Sequence, residues 1–102
     1  MEAHLFAAFP RRSARMGTTR LRLFVDEQMA RARSHGVSRE YPMCQYLRVA
    51  MVLGPDFDVS TRTAWARELL DDPALGPETG IHVLHRQVFQ TPNQVIPPEE
   101  AH

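Results

Sequence analysis

The sequence predicts an all-α protein: a single small bundle of four or five short helices. Three observations predict it. Apolar residues recur at three- and four-residue spacing in successive segments, the period of one helix face. Glycines and prolines separate those segments and stop each one. No segment alternates apolar and polar residues convincingly, although "VLHRQVF" (83–89) has enough β-propensity to admit a terminal strand. Residues 1–90 are the expected helical domain. Residues 91–102 are rich in proline and poor in apolar anchors, and are expected to form a partly ordered tail.

The first expected helix covers residues 3–9, with Leu5, Phe6 and Phe9 turned inward. Pro10 ends it, because the residue before a proline avoids helical geometry. "RRSARMG" (11–17) then reads as a polar connector. Thr18 or Thr19 caps the second helix, whose stripe is Leu21, Phe24, Val25, Met29 and Ala32. Gly36 stops it, since glycine takes the left-handed geometry of a helix C-terminus without penalty. The third helix starts at a Ser38 cap, with Glu40 and Pro42 in its first turn. Cys44, Leu47, Ala50 and Met51 face inward, flanked by Tyr46 and Leu53, until Gly54-Pro55 ends the run.

Asp58, Ser60 or Thr61 caps a short fourth helix that runs to Leu70. Its apolar face is Trp65, Ala66, Leu69 and Leu70, and Phe57 is placed ahead of it like a hydrophobic staple. "DDPALGPE" is a turn. Pro77 opens the fifth helix, with Glu78 beside it and Ile81, Leu84, Val88 and Phe89 inward. Gly80 weakens that helix by about 1 kcal/mol relative to alanine. The expected core is Phe24, Leu47, Met51, Phe57, Trp65, Leu69 and Leu84. A fully buried tryptophan removes about 150–250 Å² from water, worth at most about 4–6 kcal/mol. Trp65 and Phe57 are therefore the expected anchors.

A chain of 102 residues, 43% apolar and 24% charged, suits one globular domain. No stretch nears the ~20 apolar residues of a membrane span. The N-terminus lacks the basic and apolar regions of a secretion signal, so a cytoplasmic location is expected. The one cysteine, Cys44, excludes an internal disulfide, and its place on an apolar helix face favours packing over thiol chemistry. The formal net charge is zero but uneven: residues 1–53 carry nine Arg against four acids, residues 54–102 three Arg against eight. Such a dipole either holds the two halves together or orients a partner.

Catalytic and metal-binding signatures are sparse. His82 and His85 are spaced i, i+3, but no Cys or carboxylate pattern completes a zinc set. "DFDVST" resembles the start of a calcium loop and lacks its glycine and its final glutamate. Asp71 and Asp72 read as turn residues before Pro73. No nucleophile elbow, phosphate-cradling glycine loop or Cys/His signature occurs. No enzyme, metal site or cofactor is expected. Seven arginines between positions 11 and 33 raise nucleic-acid binding, with the third helix as a recognition helix. That helix offers only Gln45 and Arg48 for base contact and is too apolar for a groove, so a nucleic-acid-binding regulator is the second reading.

The ordered signals also resemble a known group. Gly36, Val37 and Glu40 precede an apolar helix. Leu53, Gly54, Asp56, Phe57 and Asp58 follow it, then Trp65, Ala66, Leu69, Leu70 and Asp72. This order resembles small helical accessory proteins encoded in bacterial type VI secretion gene clusters, beside spike, PAAR-type and adaptor genes. The resemblance spans about three quarters of the chain. Two departures stand out: the first helix before "FP" is shortened, and Pro42 interrupts the start of the central helix. The shortening implies either a partly uncovered groove or a misassigned start codon.

The resemblance implies a co-chaperone or adaptor that binds a secreted effector, its larger chaperone or the spike. It supplies no catalytic residues; Gly54, Phe57, Trp65 and Asp58 are expected to turn, fill and cap. The expected partner contacts are Phe6, Phe9, Arg11, Arg12, Arg15, Tyr41 and Tyr46. An immunity-type inhibitor of a toxin is a further reading of the same binding surface.

Overall fold

The computed structural model describes residues 2–90. Five α-helices follow one another: α1 (Glu2–Ala8), α2 (Pro10–Ser34), α3 (Glu40–Leu53), α4 (Ala64–Asp71) and α5 (Pro77–Gln90). A 3-10 turn, Thr61–Thr63, leads into α4. There is no strand among the described residues, and "VLHRQVF" lies within α5. The tail expected at 91–102 lies outside the described residues. No described helix is long and apolar enough to cross a membrane.

α3 is the central element. It packs against α1, α2 and α5, and α4 rests on α5. That position explains why α3 buries eight of its residues, far more than one stripe. An element touched on several sides needs apolar residues around most of its circumference.

The N-terminal region departs from the expected pattern. Residues 11–16 are helical, not a connector. Phe9 makes the corner after α1 (φ −136°, ψ 68°), and Pro10 opens α2 at a position where its missing N–H costs little. Buried Ser13 closes this corner. Its amide donates to the Phe9 carbonyl (2.9 Å) and its hydroxyl to the Leu5 carbonyl (3.1 Å). The true break comes at Gly17 (φ 80°, ψ 163°), a geometry that a side chain disfavours. α2 is thus two helical segments joined by a bend.

The other end of α2 follows the expectation. The Gly36 amide donates to Arg33 (2.9 Å) and the Val37 amide to Ala32 (2.9 Å), the paired bonds of a Schellman closure. Ser38, however, does not cap α3. The amides of Ser38 and Arg39 instead donate to Glu78 Oε2 (3.1 and 3.0 Å), and Arg39 Nε donates to Glu78 Oε1 (2.6 Å). A carboxylate from the first turn of α5 therefore satisfies the start of α3.

The core holds Leu47, Met51, Phe57 and Leu84, with Phe24 and Leu69 half-buried against it. Trp65 is a correction: it is 38% exposed and does not anchor the interior. α4 turns Ala66 and Leu70 inward, so Trp65, about 100° around the helix from Ala66, faces the rim. Gly80 has a positive role. A Cβ there would collide with the Leu69 carbonyl oxygen, so glycine lets α5 lie directly on the end of α4.

Candidate functional site

The bend at Gly17 shapes a groove. Arg12, Arg15 and Met16 precede the bend, Arg20 and Phe24 follow it, and Met51 faces them from the last turns of α3. The concavity encloses about 580 Å³. Met16, Phe24 and Met51 supply apolar side chains and three arginines supply positive charge. Arg12 Nη1 donates to the Met51 carbonyl (2.5 Å), one of the oxygens left over at the α3 C-terminus. A cation there also complements the negative end of the helix dipole.

The other expected contact residues are scattered. Arg11 is exposed but does not line the groove. Phe6 is 40% and Tyr41 69% exposed, and neither lines the groove. Phe9 and Tyr46 are fully buried, which corrects their assignment as partner contacts. Phe9 sits near Phe89 (ring centroids 6.2 Å apart), and Tyr46 packs on Phe57 (4.9 Å). Their inward faces follow from the α1–α2 corner and from the central position of α3.

A polar cluster absent from the sequence reading joins α2 to the loop after α3. Asp58 is 4% exposed and accepts from Arg31 Nη1 (2.7 Å) and from His35 Nε2 (3.1 Å). Because an ionised carboxylate only accepts, His35 carries its proton on Nε2. Arg31 also reaches Asp56 (3.3 Å) and Glu27 (3.4 Å). Burial alone would raise the Asp58 carboxyl, but the His35 hydrogen bond and the Arg31 charge outweigh it and hold it below the ordinary range. Burial, then the Asp58 charge, pushes the Tyr46 phenol up.

This cluster explains "DFD". Asp56 and Asp58 reach one guanidinium while Phe57, between them, enters the core. Asp58, one of three expected caps, is therefore a clamp. Ser60, another of the three, caps the 3-10 turn ahead of α4, with its hydroxyl accepting from the Arg62 amide (3.3 Å), and Thr63 donates to the Phe57 carbonyl (2.7 Å). The sequence did carry a signal: Arg31 and His35 are spaced i, i+4 on one helix face.

His82 and His85 diverge. His82 Nδ1 pairs with Gln45 Nε2 (3.1 Å), while His85 stacks on Phe89 (4.6 Å). Among the described residues no three His, Cys, Asp or Glu side chains are grouped to hold a metal ion. Cys44 is half-buried in a cavity wall, not in the core, and burial pushes its thiol up. No protein-family model, curated protein or solved structure matches the chain.

Proposed function

We propose that this chain is a non-enzymatic, protein-binding accessory factor of type VI secretion, a co-chaperone or adaptor for an effector or its larger chaperone. The groove at the Gly17 bend is the observation that supports this reading. Its methionines adapt to varied apolar side chains, and arginine is favoured at protein interfaces. None of the described residues lining it is acidic. The occupant this chemistry fits is an apolar peptide segment flanked by acidic residues. The resemblance over residues 9–84 supplies the biological setting.

Co-purification with the effector, chaperone and spike proteins encoded beside it tests the reading. Capture of the effector or its chaperone is expected, with loss on the double substitution Arg15→Glu, Arg20→Glu at unchanged helical content. A monodisperse monomer that captures none of them rejects it. So does a salt-dependent shift of labelled duplex DNA without protein capture, which would transfer the arginines to phosphate binding. Rescue of cells from the neighbouring toxin would make the same groove an inhibitor's contact and not a loader's.

A further inference from the structure

α5 ends beside the groove. Phe89, in its last turn, touches both helices that wall the groove: its ring lies 6.2 Å from that of Phe9 and 4.9 Å from the Arg48 guanidinium. Arg12 lies three residues beyond Phe9, and Met51 three residues beyond Arg48. Each step is a helical turn, about 5 Å. Arg12 and Met51 line the groove, and Arg12 Nη1 donates to the Met51 carbonyl. The chain that continues past α5 therefore starts about one turn from both walls.

That continuation, residues 91–102, lies outside the described residues, but its sequence has the chemistry the groove selects. Val95 and Ile96 are adjacent and apolar, Pro97 and Pro98 follow, and Glu99 and Glu100 come next. The stretch contains no lysine or arginine. Met16, Phe24 and Met51 offer apolar surface to the first pair, while Arg12, Arg15 and Arg20 offer cations to the last. A proline pair has no N–H in need of a partner and biases the residue before it towards extended backbone. A segment biased in this way loses less freedom on docking. Reach is sufficient: Val95, six residues beyond Phe89, extends up to about 20 Å from it. Met16 lies seven residues of helix beyond Phe9, about 10 Å.

We propose that the chain's own residues 95–100 occupy the groove, with Val95 and Ile96 against Met16 and Met51, and with Glu99 and Glu100 facing the arginines. The inference rests on the reading of the groove as a peptide-binding surface and adds its regulation: the tail is a tethered competitor that an incoming partner must displace. A tether of a few residues gives an effective concentration of about 1 mM. A segment whose Kd as a separate peptide is about 0.1 mM then weakens an incoming peptide about tenfold.

Methyl NMR on the full chain tests the assignment. Nuclear Overhauser contacts from the Val95 and Ile96 methyls to those of Met16 and Met51 are expected, independent of protein concentration. The double substitution Val95→Asp, Ile96→Asp removes them and shifts both methionine signals, at unchanged helical content. It also lets a synthetic peptide of residues 94–100 bind at least about tenfold more tightly than it binds the unmodified chain. Glu99→Arg, Glu100→Arg acts in the same way, and adding Arg15→Glu, Arg20→Glu restores the contacts. Methionine signals identical in the unmodified and substituted chains overturn the proposal, as does equal peptide binding. Contacts found only between differently labelled copies overturn it in favour of a second copy as the occupant. The result is separable from co-purification. A chain that captures the effector while its tail makes no groove contact overturns this inference alone; a chain with the contact and no captured partner overturns the loader alone.

Discussion

Arg31 with His35, and Arg48 with His85, are the same two residue types in two surroundings. In the first, a buried carboxylate of the chain lies between them, at 2.7 Å from the guanidinium and 3.1 Å from the imidazole. In the second, the nitrogens Arg48 Nε and His85 Nε2 are buried without a protein partner. The residue pair alone therefore says little about role. The third participant decides: where the chain provides the anion, the pair is a structural clamp; where it does not, the two nitrogens stay unpaired within the protein.

The sharpest way to break this contrast is Asp58→Ala. Removing one partner of a buried charged network strands the other, and a loss of about 3 kcal/mol is expected, a little under a fully buried pair because Arg31 keeps some solvent. For a domain of this size that lowers Tm by roughly 10–20 °C in a circular-dichroism melt. A loss under about 1 kcal/mol would make the clamp an ordinary surface ion pair.

Gly80→Ala tests whether the two clusters are independent. The α4–α5 contact supports the helix that carries His85, and Arg31, His35 and Asp58 lie on neither element. Alanine gains about 1 kcal/mol of helix propensity but meets the Leu69 carbonyl, so a net loss of about 2 kcal/mol is expected in urea unfolding. The double substitution with Asp58→Ala should be additive within about 0.5 kcal/mol.

Acid separates the clusters next. Burial, then the Arg48 charge, lowers His85 from 6.5 to about 4, so the unfolded chain takes up its proton first, and stability falls as pH drops from about 6.5 towards 4. His85→Gln should flatten that part of a Tm–pH profile. Asp58 behaves as a depressed carboxyl. Its contribution is complete above the ordinary carboxylate range and is lost as pH falls through its lowered folded value. Asp58→Asn should remove the most acidic part of the profile and leave the His85 part.

The smallest effect belongs to Arg48→Met. With no carboxylate of the chain to orphan, it forfeits mainly the contact over Phe89, and a change within about 1 kcal/mol is expected. A loss as large as that of Asp58→Ala would erase the distinction between the clamped and the unclamped pair.

Much of the helical architecture was legible because it is local. Gly36 ends α2, Gly54 ends α3 and Pro77 opens α5, each by the backbone geometry of one or two residues. The segment "RRSARM" was not legible as helix, since its polar residues show no apolar period and its one deeply buried side chain is Ser13. Trp65 was misplaced because an eight-residue helix with four apolar neighbours admits two overlapping faces. Asp58 looked like a cap from its neighbours, while its partner lies 27 residues upstream. Of the expected contact residues, Arg12 and Arg15 meet at the groove through the unforeseen Gly17 bend. The cavity beside Cys44, lined also by His4, Arg48 and His85, draws on three helices, and no spacing along the chain announces it.

Glu78 carries a consequence for how the chain is made. The acceptor for the two amides just ahead of the central helix, those of Ser38 and Arg39, lies about 40 residues further on in sequence. During vectorial synthesis that helix emerges with its leading end unsealed, and seals only when the opening turn of the last helix reaches it. Closure of the bundle and completion of its middle are then one event, so a nascent chain stopped at residue 72 should show fraying at Ser38 and Arg39 well before any loss at Leu47.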